Sequence, residues 1–403
     1  MPDDPIGDIR ALGLPPPNYD EGNLSEAPPL LSPVGPIIDG LREEWLGRFA
    51  TEIYGQIPPR PDSLSIERQA VQGERAERIV IRLQLPGGAL EVDAALWLPE
   101  REHLPAPVIL GLDFKGPIGL LTGEGFPIDR EARVAPVFEG DGRLTDALRG
   151  TAVHRWPADL LNSAGFAVLV SCYGSWVPDD PDLFQERGLY PLLADSVRGP
   201  RPGALALWSW AISRLVDVAG LVPEIDAGAV AVAGHSRLGK AALLAAAWDT
   251  RISSALINNS GAMGASLSSR HYGETRQHLV GRFPHWLSAD AVPVSRALDQ
   301  HQLLATIAPR QLYVTSASED LWADPKGEYI SLQAAASAWP GAELPPVGGV
   351  FVPGAEVASG AIGWHLRPGP HDIRPYDWHR YLRHLRKLGS FSRQPQRVYR
   401  HVP

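Results

Sequence analysis

Val230-Ala231-Val232-Ala233 is a short apolar run, and Gly234-His235-Ser236-Arg237-Leu238-Gly239-Lys240 follows it directly. A run of that kind reads as a buried strand, and the residues after Ser236 read as a helix. A serine on a tight strand-to-helix turn is placed as the nucleophile of an acyl transfer. Glycines on both sides leave the turn room that a larger residue would fill. The usual pattern has glycine two places after the serine; here Leu238 stands there and Gly239 comes one later. The bland alternative is that Ser236 only caps the helix. Arg237 and Lys240 argue against it: cations in a first helical turn oppose the helix dipole by about 0.3–1 kcal/mol each. Two such cations beside a serine fit a site that handles developing negative charge. Lys240, one turn on, should share the serine's mouth.

A serine needs a base, and the base needs an acid to orient it. Twelve histidines occur, so position has to choose among them. In a fold with this turn the histidine comes last in chain order. His371 lies in Arg367-Pro368-Gly369-Pro370-His371-Asp372, before a final helix, and is preferred to its neighbour His365. The acid is expected after a late strand. The run 311–316 leads into Ala317-Ser318-Glu319-Asp320, and Asp320 is the chosen acid with Glu319 as runner-up. Asp324, just before Pro325, reads as a helix cap.

These residues need elements to carry them. A helix is expected over 37–54, ended by Pro58 and Pro59. Strands are expected at 64–71, 79–85, 90–97, 108–112, 167–171, 230–233, 255–258 and 311–316. Helices are expected at 156–163, 204–219, 237–248 and 376–388. Strands alternating with helices predict an α/β three-layer sandwich with a mostly parallel central sheet. Residues 116–150 are irregular and read as a pocket wall. Residues 1–35, rich in Pro, Asp and Gly, read as a tail draped over the body, and 36–403 as one catalytic domain.

Composition narrows the classes. A net charge of −9 argues against nucleic acid and against anionic membrane surfaces. No run of 18 or more apolar residues is present, so no membrane span is expected, and residues 1–8 have no basic-then-apolar pattern, so no export signal is visible there. Cys172 is the single cysteine, which excludes an intramolecular disulfide and a thiolate zinc site.

The motif Gly234 to Ala242 resembles that of bacterial glucuronoyl esterases, carbohydrate esterase family 15. Asn258-Asn259-Ser260-Gly261, Gly273-Glu274-Thr275, Phe283-Pro284-His285-Trp286, Asp320 to Glu328, Gly363 to Asp372 and Tyr376-Asp377-Trp378 share the likeness, which runs over 45–388. The resemblance implies an α/β-hydrolase fold and a Ser-His-acid triad, with no metal and no cofactor. The implied reaction is hydrolysis of esters between 4-O-methyl-glucuronate on xylan and alcohols of lignin. Ser236 is then the nucleophile and His371 the base. Arg237 helps hold the oxyanion, with backbone N–H groups near Arg237 and Lys115. Lys240, Glu274 and Trp322 contact the uronate sugar. Many members place the acid where this chain has Asn259; the resemblance then moves that role to Asp320, and Asn259→Ala is expected to do little. A monomer acting on glucuronoxylan is expected. The alternatives are an acetylxylan or other carbohydrate ester hydrolase on the same scaffold, and a non-catalytic carbohydrate-binding relative.

Overall fold

The computed structural model describes residues 9–21, 39–135, 141–292, 298–387 and 391. Among the described residues ten strands form one sheet: β1 (Ser63–Ala70), β2 (Glu77–Leu85), β3 (Gly88–Trp97), β4 (Ala106–Asp113), β5 (Ala167–Cys172), β6 (Ile225–His235), β7 (Ile252–Asn258), β8 (Gln311–Ala317), β9 (Glu356–Ser359) and β10 (Ile362–Arg367). Their spatial order is β1-β2-β3-β5-β4-β6-β7-β8-β10-β9. β1, β2, β3 and β5 pair antiparallel in turn, β9 pairs antiparallel with β10, and β5, β4, β6, β7, β8 and β10 run parallel. This is the α/β-hydrolase arrangement that the sequence predicts.

The parallel strands are apolar on both faces because helices cover both. Every residue of β5, β8 and β10 is buried, whereas edge strand β1 alternates between exposed and half-buried positions. The principal helices are α1 (Asp39–Phe49), α2 (Ala204–Ala219), α3 (Arg237–Trp248), α4 (Arg276–Arg282), α5 (Pro325–Ala335) and α6 (Pro375–Lys387). α2 is buried along almost its whole length. Among the described residues no helix is long and apolar enough to cross a membrane.

The expected strands all form, most of them one to five residues longer than their apolar runs. Two were not foreseen, β9 and β10. β10 carries His365 and Arg367, polar residues that break an apolar run. Both are buried because Asp377 of α6 takes them: His365 Nε2–H donates to Asp377 Oδ1 at 2.7 Å, and Arg367 Nε lies 3.2 Å from Oδ2. The expected first helix ends at Phe49, and a single wider turn, Ala50–Tyr54, continues it. The span 116–150 contains the short helix Gly116–Leu120 and the 3-10 turn Asp146–Leu148 and is otherwise irregular where described.

Of the expected tail, residues 9–21 are described, and they lie against the body. Pro15 O accepts from His278 Nε2 at 2.8 Å, Asn18 O accepts from Gly273 N at 2.8 Å, and Glu21 pairs with Lys326 at 2.8 Å.

Candidate active site

β6 delivers the serine. The strand ends at His235, Ser236 stands at φ 57°, ψ −129°, and α3 begins at Arg237. A non-glycine residue in that region costs about 1–3 kcal/mol and persists only where its surroundings fix it. Here the Ser236 N–H donates to Asn258 O at 2.9 Å, and Ser236 O accepts from Lys240 N at 3.1 Å. Gly234 has no alternative, since a Cβ there would lie 2.1 Å from Leu238 O. The displaced Gly239 fits the same crossing: its Cβ would lie 3.1 Å from both Asn258 O and Gly234 O. Ser236 does not cap α3 with its side chain.

His371 lies between β10 and α6, and Asp320 follows β8. Because β8 and β10 are neighbours, the loops leaving them run side by side and are laced together. Ser318 N donates to Arg367 O at 2.9 Å, Glu319 N to Gly369 O at 3.0 Å, and Gly369 N to Ser318 Oγ at 3.1 Å. Arg367 Nη2 holds the Pro370 and Asp372 carbonyls on either side of His371, at 2.5 and 2.9 Å. The result is a hydrogen bond from His371 Nδ1–H to Asp320 Oδ2 of 2.6 Å. The same oxygen accepts from Asn259 Nδ2 at 2.8 Å, and Oδ1 accepts from Ala323 N at 3.3 Å. The Asp320 side chain is 4% exposed and that of His371 40%. Glu319 points to solvent, and His365 is sealed in β10 with Asp377.

The histidine reaches the serine's neighbourhood by packing its ring, tilted at 40°, against His235. Its ring centroid lies 4.4 Å from that of His235, the residue before Ser236. Among the described contacts no hydrogen bond joins the Ser236 hydroxyl to His371; such bonds are often long without substrate. Burial alone would lower the His371 pKa, but the charge and hydrogen bond of Asp320 outweigh it and hold the imidazole above its ordinary value. Burial would likewise raise Asp320, and the opposing pull of His371, Asn259 and Ala323 keeps it below the usual carboxylate range. His235 goes the other way: burial, then the nearby His371 and Arg155, push it well down, so it packs against His371 as a neutral ring.

Arg237 is held in a buried aromatic box. Its guanidinium lies 4.5 Å from the Trp286 ring and 5.0 Å from Phe283, which stack on each other at 3.9 Å; Phe114 stands 5.8 Å away. Nη1 donates to Asp179 Oδ2 at 2.5 Å. Asp179 also accepts from Tyr173 Oη at 2.8 Å, His285 Nε2 at 3.0 Å and Trp286 Nε1 at 2.7 Å. Burial opposes its charge, yet Arg237 and these donors hold its pKa far below normal. Such a carboxylate fixes the guanidinium plane as well as its charge. In the Lys115 loop the Lys115 N–H itself donates to Asp113 Oδ1 at 2.9 Å, and Lys115 Nζ donates to Thr151 Oγ1 at 2.8 Å.

Lys240, Glu274 and Trp322 form one chain. Lys240 Nζ is buried and donates to Ser260 O at 2.6 Å, Ala262 O at 2.6 Å and Glu274 Oε2 at 3.0 Å. Those bonds use the ammonium's three protons, so Lys240 anchors Glu274 rather than projecting freely into the mouth. Glu274 Oε1 accepts from Trp322 Nε1 at 3.1 Å, and the Trp322 ring lies 5.4 Å from His278.

A family model described as fungal glucuronyl esterase matches residues 197–342. Carbohydrate esterase MZ0003, from an unknown prokaryotic organism, is 31% identical over 376 residues, covering 85% of this chain and 83% of its own. The solved structure of a promiscuous CE15 esterase from a marine bacterial metagenome is 30% identical with a TM-score of 0.77, covering 92% of this chain and 99% of that one. The chain belongs to carbohydrate esterase family 15, the glucuronoyl esterases. The solved glucuronoyl esterase of Solibacter usitatus is 32% identical with a TM-score of 0.74, covering 86% of this chain and 91% of that one. The 4-O-methyl-glucuronoyl methylesterase of Hypocrea jecorina is 36% identical over 153 residues, 34% of this chain and 33% of its own. As a family member the chain is a carboxylic ester hydrolase.

For this glucuronoyl esterase, the fungal match spans Ser236, Arg237, Lys240, Glu274, Asp320 and Trp322 but stops short of His371. Sequence reasoning gave no role to Asp179, Tyr173, His285 or Trp286. The one signal was the Phe283-Pro284-His285-Trp286 motif; Asp179 sits in a loop among other Asp and Pro residues, with nothing local to set it apart.

Proposed function

We propose that this glucuronoyl esterase cleaves esters of 4-O-methyl-glucuronate, as in lignin–glucuronoxylan linkages, through a Ser236 acyl-enzyme. The observation that carries the reading is the 2.6 Å bond from His371 to buried Asp320, set beside the strained Ser236 turn. His371 Nε2 takes the Ser236 proton as Oγ bonds to the uronate carbonyl carbon. The carbonyl oxygen gains the electron pair and is met by the Arg237 guanidinium and the N–H groups opening α3. On collapse, the C–O bond to the alcohol breaks and His371 returns its proton to the leaving oxygen. Water repeats the sequence and frees glucuronate and Ser236. Names of relatives such as 4-O-methyl-glucuronoyl methylesterase support the acyl group. Glu274 and Trp322 would seat the sugar, with the indole face against its C–H groups.

The test compares initial rates on benzyl glucuronate and acetylated xylan. The uronate ester should be hydrolysed and the acetylated xylan spared. Trp322→Ala should raise KM for the uronate about tenfold, the loss of ~1.4 kcal/mol of stacking, with kcat little changed. Faster release of acetate than of benzyl alcohol would reverse the substrate assignment.

The base must be neutral to act. Since Asp320 holds the His371 pKa above its ordinary 6.5, the acidic limb of kcat/KM should lie above pH 6.5. Below it, activity should fall about tenfold per pH unit. A profile from about pH 5 to 9 reads this directly, and a limb below pH 6 would contradict the ion-paired histidine.

A further inference from the structure

Glu328 is a buried carboxyl beside the site that the proposed reaction does not use. It lies in the first turn of α5 and is wholly buried. Its Oε1 accepts from Ser260 N at 2.7 Å, Gly261 N at 3.0 Å and Ser260 Oγ at 3.1 Å, and its Oε2 accepts from Ser316 Oγ at 2.7 Å. Both hydroxyls already accept elsewhere, Ser260 Oγ from Ala265 N at 2.8 Å and Ser316 Oγ from Trp364 Nε1 at 3.2 Å. Four donors thus converge on one carboxyl group, whose pKa burial pushes up to about 7 against the pull of these hydrogen bonds. Removing it would orphan two buried backbone N–H groups. α5 does not need it as a cap, because Asp324 Oδ1 already accepts from Gly327 N at 2.9 Å.

What the carboxylate grips is the stretch that begins at Asn259. That residue sits at φ 45°, unfavourable without glycine, and its amide bonds Asp320. Asn259 N donates to Thr315 O at 2.8 Å, and the next two N–H groups go to Glu328. Lys240 holds the carbonyl side of the same stretch at Ser260 and Ala262. The other grip, Ser316, is on β8 four residues before Asp320. One carboxylate therefore ties together the two segments that meet at the Asn259–Asp320 bond.

We infer that Glu328 is a positioning residue: through the backbone of 259–261 it fixes the Asn259 amide against Asp320, and so the orientation of the acid toward His371. The inference rests on Asp320 being the triad acid. A structural ballast role would lower stability without regard to Asn259; a positioning role depends on Asn259 being present.

The test is a double-mutant cycle on the intact protein, with benzyl glucuronate turnover and the low-field proton resonance of His371 Nδ1–H as readouts. Glu328→Ala should lower kcat about 10–100-fold with KM within about twofold, and should shift or broaden the low-field resonance. Asn259→Ala alone should cost about tenfold or more, as loss of a bond to a charged group. In the Asn259→Ala background, Glu328→Ala should cost less than about threefold further. Glu328→Gln, which keeps an acceptor for the two N–H groups, should stay within about threefold of wild type with the resonance in place. If Glu328→Ala does not fold, Glu328→Asp replaces it, since its shorter side chain cannot reach both N–H groups and should show the same dependence on Asn259. Equal losses in the two backgrounds, or an unmoved resonance in the Ala or Asp variant, would overturn the inference. The underlying reading is judged separately, by whether Asp320→Asn is inactive.

Discussion

Asp320→Asn is expected to lower kcat on the order of 10⁴-fold while leaving KM nearly unchanged. Both side-chain donors to Asp320, His371 Nδ1–H and Asn259 Nδ2, aim at the same oxygen. An asparagine that kept an oxygen there would lose the charge that stabilises the imidazolium. One that turned its NH₂ toward His371 would drive the proton to Nε2, where it could not accept from Ser236. Either way the ground-state fit survives and the transition state suffers. Glu319→Gln should be nearly silent, because that side chain faces solvent and only its backbone N–H is used. Steady-state kinetics of the two variants side by side check the assignment. The same geometry revises the sequence expectation that Asn259→Ala does little: its amide is one of three hydrogen-bond donors to the acid.

Ser236→Ala should be more severe, with turnover falling on the order of 10⁶-fold. It should cost almost no stability. The elbow is held by main-chain bonds, Ser236 N to Asn258 O and Lys240 N to Ser236 O, and by the room at Gly234. Alanine keeps all of these and meets the same strain at φ 57°. A melting temperature within about 2 °C of wild type, beside lost activity, is the expected pair of results. A large drop in melting temperature would instead mean that the hydroxyl is part of the scaffold.

The features legible in the sequence are those written in consecutive residues. The strand-turn-helix around Ser236 shows because its apolar run, glycines and helix are contiguous. Asp320 and His371 could be picked because each follows a late element at the end of the sheet where such loops gather. β10 was hidden because its buried polar residues, His365 and Arg367, look like surface residues until Asp377 is placed against them. Asp179 was hidden for the same reason: its four donors come from residues 173, 237, 285 and 286, and no local pattern predicts their meeting. Glu328 falls within the motif Asp320 to Glu328, but its use depends on residues 260, 261 and 316. Lys240 was placed by helical spacing near the serine's mouth; spacing could not show that three acceptors already hold its ammonium.

The nucleophilic role of Ser236 and its dependence on His371 can be read together by covalent labelling. The wild-type protein and His371→Ala are treated with a fluorophosphonate, and the adduct is mapped by peptide mass spectrometry. A single adduct on Ser236, forming at least about 10³-fold more slowly without the imidazole, is the outcome that a histidine-activated serine requires. An adduct on another residue, or equal labelling rates in the two proteins, would contradict it.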